Sequence, residues 1–435
     1  MSMEAASFAM PESYLVYSRL REGVDPQCAA LGEGRNLMTP GAPLVRWLGG
    51  HFASGKLGLE AARYEEPEGC RQVIATAMSL ALRVPYLAAD DVYITAGSTE
   101  AISIAMQVAR SSVSTKAMLP LPGYFGFELS AMRWGVPIAG YIRPGGPAGF
   151  RQSQFEGLVI AVVPNGVSGF LPTPLVDSFP QASRFLVDCI YCSHGVKPGL
   201  IAALATHLHS YPLKKTLWSF TASKDLGIPG LRAGFVITQD SLVKQVATAH
   251  RLELSYTPSL VQSYLAALYA LLLATVQVRG SEQLTVELAV EYVWGLVTSE
   301  LPTSSGLNSV SVVQALIESA KELDSLADRC AYNWRVLQDW SAGAGVTLAP
   351  CMGGFSALMR LPFGPSDQHA LIKWVNDVGR EFKLKLHPSV LYGGTVASWR
   401  RLFGTEWFLR VNLSNPSHHL QSCLELLGQS TSRLL

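Results

Sequence analysis

The stretch Thr216–Thr238, TLWSFTASKDLGIPGLRAGFVIT, holds two short apolar runs on either side of a turn made of small residues, with Lys224 and Arg232 inside the turn. Runs of five or six residues rich in Phe, Trp, Thr, Val and Ile, bounded by Gly and Pro, read as buried strands. A lysine flanked by Ser and Thr at the end of such a strand is either a solvated turn residue or an anchor for a ligand. The neighbouring sequence decides between these.

Upstream, similar runs recur: DVYITAG at residues 91–97, AMLPLP at 117–122, GLVIAVVPN at 157–165 and SRFLVDCIY at 183–191. They start about 25 to 40 residues apart, which leaves a helix-length segment between neighbours. This rhythm predicts crossover units and a mostly parallel sheet, at whose carboxyl ends ligands collect. Gly97, Pro122, Asn165, Asp188 and Lys224 fall at those ends. The fold class expected is α/β: a large domain with a mostly parallel sheet flanked by helices, and a smaller α+β C-terminal domain. The break LPTSSGLNS at 301–309, the alternating VTLAPCMGGFSALMRLPF at 346–363 and WFLRVNLS at 407–414 mark the small domain. The boundaries expected are 1–45 for an N-terminal arm packing on the small domain, 46–305 for the large domain and 306–435 for the small one.

Composition limits the function. In 435 residues with a formal net charge of +1 and 15% charged residues, no extended basic surface exists to track a nucleic-acid backbone. Seven cysteines scattered through a long chain do not form a disulfide framework and suit a reducing, cytoplasmic compartment. The N-terminus lacks the pattern of a secretory signal. The most apolar segment, YLAALYALLLATVQV at 264–278, falls short of the roughly 20 residues of a membrane crossing and reads as a buried core helix. Cys189 and Cys192 form a CxxC with His194 close behind, but no second pair accompanies them, and on a strand positions i and i+3 face opposite ways, so no metal is expected.

TASKDLGIPGLRAG resembles the lysine segment of the fold type I pyridoxal 5'-phosphate enzymes, the aminotransferase class I and II family: a hydroxyl residue, Ser, Lys, then Gly-x-Arg-x-Gly. Thr221, Ser223, Lys224, Gly230, Arg232 and Gly234 fill those places. Such chemistry asks for an amine that condenses with the cofactor aldehyde, with hydroxyls and a fixed guanidinium holding a dianionic phosphate nearby. FLVDCIY is similar to the family's Asp-x-x-Tyr, which implies that Asp188 faces the pyridine nitrogen and Tyr191 the ring's phenolic oxygen. TAGSTEAI implies a phosphate site at a helix N-terminus built from Gly97, Ser98 and Thr99. LPGYFGF places Tyr124 where the family stacks an aromatic ring on the cofactor. RYEEPEG resembles the segment whose tyrosine, here Tyr64, reaches the phosphate of a neighbouring subunit, which implies a homodimer. FLRVNLS places Arg410 where the family clamps the substrate's α-carboxylate.

One segment departs. Where the family usually has Asn-Pro-x-Asn-Pro-Thr-Gly, this chain has VPNGVSG. The asparagine that bonds the ring oxygen falls on Gly166, with Asn165 able to take the role if the loop shifts by one residue. The resemblance spans Tyr64 to Arg410 through seven ordered segments. It implies pyridoxal 5'-phosphate as cofactor and an aminotransferase acting on an L-amino acid and a 2-oxo acid through imine intermediates, with Lys224 as general base. A lyase or a β- or γ-elimination or replacement enzyme of the same fold is the alternative, and a non-catalytic effector-binding protein is a third reading. The side chain of the substrate is not encoded in these motifs. Trp47, Phe125, Tyr392 and Trp399 are candidates for the entrance, and the region 284–309 exceeds what the family needs.

Overall fold

The computed structural model describes residues 15, 29–54, 66–67, 69–85, 87–112, 115–143, 154–194, 196, 199–253, 258–299, 301, 306–361, 368–404 and 406–432. In chain order its strands are β1 Ala29–Ala30, β2 Val92–Thr95, β3 Ala117–Pro120, β4 Ile138–Ile142, β5 Leu158–Val162, β6 Arg184–Cys189, β7 Thr216–Thr221, β8 Gly234–Ile237, β9 Thr347–Leu348, β10 Ser356–Arg360, β11 Leu384–Lys385 and β12 Phe408–Asn412. A seven-stranded sheet runs β2-β8-β7-β6-β5-β3-β4. The four pairings from β7 to β4 are parallel, and β8 runs antiparallel to both of its neighbours. The link from β7 to β8, which carries Lys224 and Arg232, folds as a one-turn helix and a short 3-10 turn, without the long helix that carries a chain back along a sheet for a parallel crossover.

Alternation along the strands builds three layers. Phe185, Val187, Cys189, Trp218 and Phe220 face one helical layer, which contains Cys70–Leu82, Leu200–His209 and Leu260–Glu282. Leu186, Leu217, Leu158, Ile160 and Val162 face the other, which contains Ser98–Arg110, Phe125–Arg133 and Ser241–Glu253. Asp188 and Ser219 stand two residues beyond Leu186 and Leu217, so they emerge on the face that carries the start of the Ser98–Arg110 helix.

The helix Leu260–Glu282 is longer than its most apolar stretch and, at 23 residues, could cross a bilayer by length and composition. Its burial accounts for that composition: Leu265 to Ala274 are all fully enclosed in the large core. Strands β12-β10-β9 form a second, antiparallel sheet, and β1 pairs with β11 in parallel. The 34-residue helix Val310–Gly343 serves both cores. Val312, Leu316, Ala320 and Leu323 pack in the large one, Leu326, Cys330 and Leu337 in the small one. Trp47, hydrogen-bonded to Ser311, belongs to the large core, and Trp399, bonded to the Gly393 carbonyl, to the small one; neither lines the cleft between the two cores.

Candidate active site

The cleft has a volume of about 460 Å³ and opens at the carboxyl ends of β5, β6 and β7. It gathers Ser98, Thr99, Tyr124, Asn165, Asp188, Tyr191, Thr221, Ser223, Lys224, Arg232 and Arg410, residues spread over more than 300 positions of sequence, into one wall. Tyr64 lies outside the described residues.

Lys224 sits on the one-turn helix Ala222–Asp225, whose N-cap is Thr221: its side chain accepts from the Ser223 amide at 3.3 Å. The next residue locks this turn in place. Asp225, fully buried, accepts from the amides of Cys192 and Ser193 at 3.0 and 2.9 Å and from the Tyr269 hydroxyl at 2.7 Å. The Lys224 ammonium donates to the Gly34 carbonyl at 2.5 Å. Burial, reinforced by the Arg410 and Arg232 charges, brings its pKa down to about 8.

The phosphate-type cradle lies at the start of the Ser98–Arg110 helix. Gly97 adopts φ +74°, and a side chain there would come within 3.1 Å of the Arg232 guanidinium. Arg232, itself in the left-handed region at φ 53°, donates to the Ala96 carbonyl at 2.9 Å and the Thr99 hydroxyl at 3.2 Å. The Thr221 and Ser223 hydroxyls lie 2.9 Å apart beside it. Free first-turn amides, two hydroxyls and a guanidinium make a donor set suited to a dianion.

Asp188 is 3% exposed and its Oδ1 has no hydrogen-bond partner. Burial pushes its pKa up to about 6, against the pull of the Ser98 and Ser219 hydroxyls. Both hydroxyls stand beside it, yet neither completes a well-formed hydrogen bond, and their oxygens are orphaned as well. A buried carboxylate without a donor fits a cationic N–H brought in by a ligand. Together with the cradle and the amine, this orphan makes the site fit pyridoxal 5'-phosphate.

Arg410, on β12, donates Nε to the Gly32 carbonyl at 2.8 Å, and its guanidinium carbon lies 4.8 Å from the centre of the Tyr392 ring. Its terminal nitrogens bond to no described residue and lie against Gly34, where a Cβ would come within 2.6 Å of one of them. That leaves two parallel N–H groups for a carboxylate. Tyr124 is 45% exposed and caps the helix Phe125–Arg133. Tyr191 is buried, with its hydroxyl 3.2 Å from the Gly166 carbonyl and 3.3 Å from Ser356; burial pushes the phenol up to about 12.

At VPNGVSG a Cβ on Gly166 would come within 2.1 Å of Ile190 Cδ1, so Ile190 would have to turn aside for a side chain at that place. Asn165 is committed to its own loop: Oδ1 accepts from the Val167 and Ser168 amides at 3.0 and 3.1 Å, and Nδ2 donates to the Pro122 carbonyl at 2.9 Å. Cys189 and Cys192 are buried, with burial pushing both thiols well up, and no group of three or more metal-ligating side chains gathers among the described residues.

The motifs did not reveal the segment Glu33–Arg35, nor Lys385 and His387, all of which line the cleft. A signal for the first was present in LGEGR at 31–35, two glycines one residue apart. Gly32 and Gly34 are where the backbone meets Arg410, with no room for a Cβ at either.

The seven-stranded sheet with its flanking helices has the fold seen in solved aminotransferases. Residues 176–275, which include Asp188, Tyr191, Lys224 and Arg232, match the model of the family described as aminotransferase class I and II. The chain superposes on an aspartate aminotransferase from Thermotoga maritima with a TM-score of 0.65 at 13% identity, covering 99% of this chain and 100% of the other. On an aminotransferase from Mycobacterium tuberculosis the TM-score is 0.68 at 16% identity, with 99% of each chain covered. It is 40% identical over 81 residues to nicotianamine aminotransferase A of Hordeum vulgare, a match that spans 18% of this chain and 15% of the length of that relative.

Proposed function

We propose that the protein is a pyridoxal 5'-phosphate-dependent aminotransferase that moves an amino group from an L-amino acid to a 2-oxo acid. The observation that carries the reading is the convergence of a desolvated amine at Lys224, an orphaned carboxylate at Asp188 and an unsatisfied guanidinium at Arg410 in one cleft. When bound, the cofactor supplies an aldehyde that condenses with amines and a ring that draws electrons from the substrate's α carbon.

Gly97, Ser98, Thr99, Thr221, Ser223 and Arg232 would hold the phosphate. Asp188 would meet the cationic ring nitrogen, and Tyr124 would lie over the ring. Arg410 takes the α-carboxylate in a two-point contact, which fixes the orientation of the α C–H. Lys224 would take the proton from that carbon. With a pKa brought down to about 8 a sizeable fraction of the amine is neutral near pH 7.5, so it can accept a proton without a large thermodynamic penalty. Tyr191 is a further donor to the ring oxygen, and with no asparagine at 166 it would act without the family's usual companion. A cytoplasmic homodimer, with Tyr64 reaching a neighbouring subunit, belongs to the same proposal.

Two measurements test it. Borohydride reduction of protein incubated with the cofactor, followed by peptide mass spectrometry, is expected to place the pyridoxyl group on Lys224 alone. Amino acids added to the loaded protein are expected to convert the aldehyde form to the amine form by absorbance. Release of a keto acid with no amine form would instead indicate elimination, and absence of both would overturn the enzyme reading.

A further inference from the structure

We propose that Lys385, with His387 and Tyr392, forms a second anion subsite in the cleft that receives a distal carboxylate, so that the protein selects dicarboxylic amino acids and oxo acids. The inference rests on the transamination reading of the same cleft.

The geometry comes from alternation along one chain segment. Leu384 and Leu386 are 0% and 3% exposed and belong to the small core, so the intervening side chains point the other way. Lys385 and His387 accordingly line the cleft. Arg410 is their neighbour: its amide donates to the His387 carbonyl at 3.0 Å, and Tyr392 stacks on its guanidinium. The subsite therefore lies beside the group assigned to the α-carboxylate.

What marks it as a binding surface is unsatisfied polarity. His387 is 9% exposed with Nδ1 unpartnered, and Tyr392 is 7% exposed with its hydroxyl unpartnered. Buried polar atoms of this kind are rare, because leaving one unpaired forfeits its hydration with nothing in return. The Lys385 carbonyl accepts from the Leu31 amide at 3.2 Å, while its ammonium has no hydrogen bond or ion pair among the described residues. Burial and the Arg410 and Lys385 charges hold His387 well below the usual imidazole range, so it is neutral and still offers one N–H.

The cations of the cleft can be assigned in turn. Arg232 faces the phosphate cradle, Lys224 is the anchoring amine, Arg410 serves the first carboxylate, and Arg35 pairs with Glu33 at 3.1 Å. Among the described cations of the cleft, Lys385 is the one left without an assigned anion. A hydrocarbon side chain bound here would leave the Lys385 ammonium without an anion; a carboxylate would supply one, beside the unpartnered imidazole and phenol.

The test is calorimetric titration of the cofactor-loaded protein with succinate, glutarate and butyrate. At least tenfold tighter binding of one dicarboxylate over butyrate is expected, and which of the two wins gives the chain length. Lys385→Gln should reduce that preference to threefold or less, and Lys385→Arg should restore most of it. Equal binding of mono- and dicarboxylates by the wild type, or equal weakening of both by Lys385→Gln, would overturn the subsite. Amino transfer separates the two readings. Selective dicarboxylate binding without any transfer from glutamate or aspartate sinks transamination and leaves the subsite. Transfer from neutral amino acids at the same kcat/KM as from glutamate and aspartate sinks the subsite and leaves transamination.

Discussion

A buried carboxylate with no donor is an expensive residue to keep, and Asp188 is one. Its pKa is raised from 3.8 to about 6, so between those values the folded state binds a proton that the unfolded state has lost. Stability from this group therefore falls as pH rises through that window, and above pH 6 the ligand-free protein carries the full penalty, on the order of 3 kcal/mol. Asp188→Asn should raise the melting temperature of the ligand-free protein at pH 7.5 and leave it unchanged at pH 4. The same substitution should weaken pyridoxal 5'-phosphate binding at least tenfold, because an amide cannot match a cationic ring nitrogen. Opposite signs in the two assays distinguish a site residue from a stabilising one; a fall in both would contradict the assignment. That Lys224, Asp188 and Arg410 share one cleft was legible in the sequence, because the motifs that carry them follow one another in a fixed order along the chain. Lys385 and His387 were not, since their value depends on which way a two-residue strand faces. Nor was the role of Ile190, because only the packing shows it occupying the space beside Gly166.

At the level of elements, the cradle depends on how β2 turns into the helix Ser98–Arg110. Gly97 makes the turn at φ +74°, a conformation that glycine adopts at little steric cost. Gly234 on β8 packs so closely that a Cβ there would meet the Gly97 Cα at 2.9 Å. Gly97→Ala should lose roughly 1–2 kcal/mol by urea unfolding, from backbone strain. It should also displace Arg232 and weaken inorganic phosphate binding at least fivefold by calorimetry; unchanged phosphate affinity would show that the guanidinium does not form the cradle. Six strands of the large sheet stand out in the sequence as apolar runs between breakers. The seventh, β4, does not: it lies at the sheet edge, and Ile138–Ile142 has a mixed burial pattern interrupted by an exposed residue. Edge strands are half solvated, so they lack the continuous apolar run that marks a central parallel strand.

Across the whole molecule, what joins the two cores is less visible in sequence, because it consists of continuity and of backbone contacts. A composition break at 301–309 suggests a boundary, yet the helix that follows it enters both cores without interruption. The second joint is the segment Leu31–Met38, which lines the cleft at Glu33, Gly34 and Arg35. Gly34 accepts from Lys224, Gly32 from Arg410, and Asn36 donates to the Asp225 carbonyl at 3.0 Å, so one segment contacts the anchoring helix and the carboxylate site together. Asn412 holds it. Fully buried, its Nδ2 donates to the Glu33 and Arg35 carbonyls, both at 2.8 Å, while Oδ1 accepts from the Ser414 amide and hydroxyl at 2.8 Å. Asn412→Ala strands two carbonyls, one amide and one hydroxyl, and a loss of about 2–3 kcal/mol is expected in urea unfolding. Because the cut falls on the segment and not on the central sheet, amide exchange at Gly32–Arg35 should accelerate at least tenfold while β5, β6 and β7 keep their protection. Binding of succinate should weaken in step, since Arg410 loses its fixed neighbour at Gly32. If exchange instead rises uniformly through both cores, Asn412 supports the whole fold, and the segment is not a separately held strap.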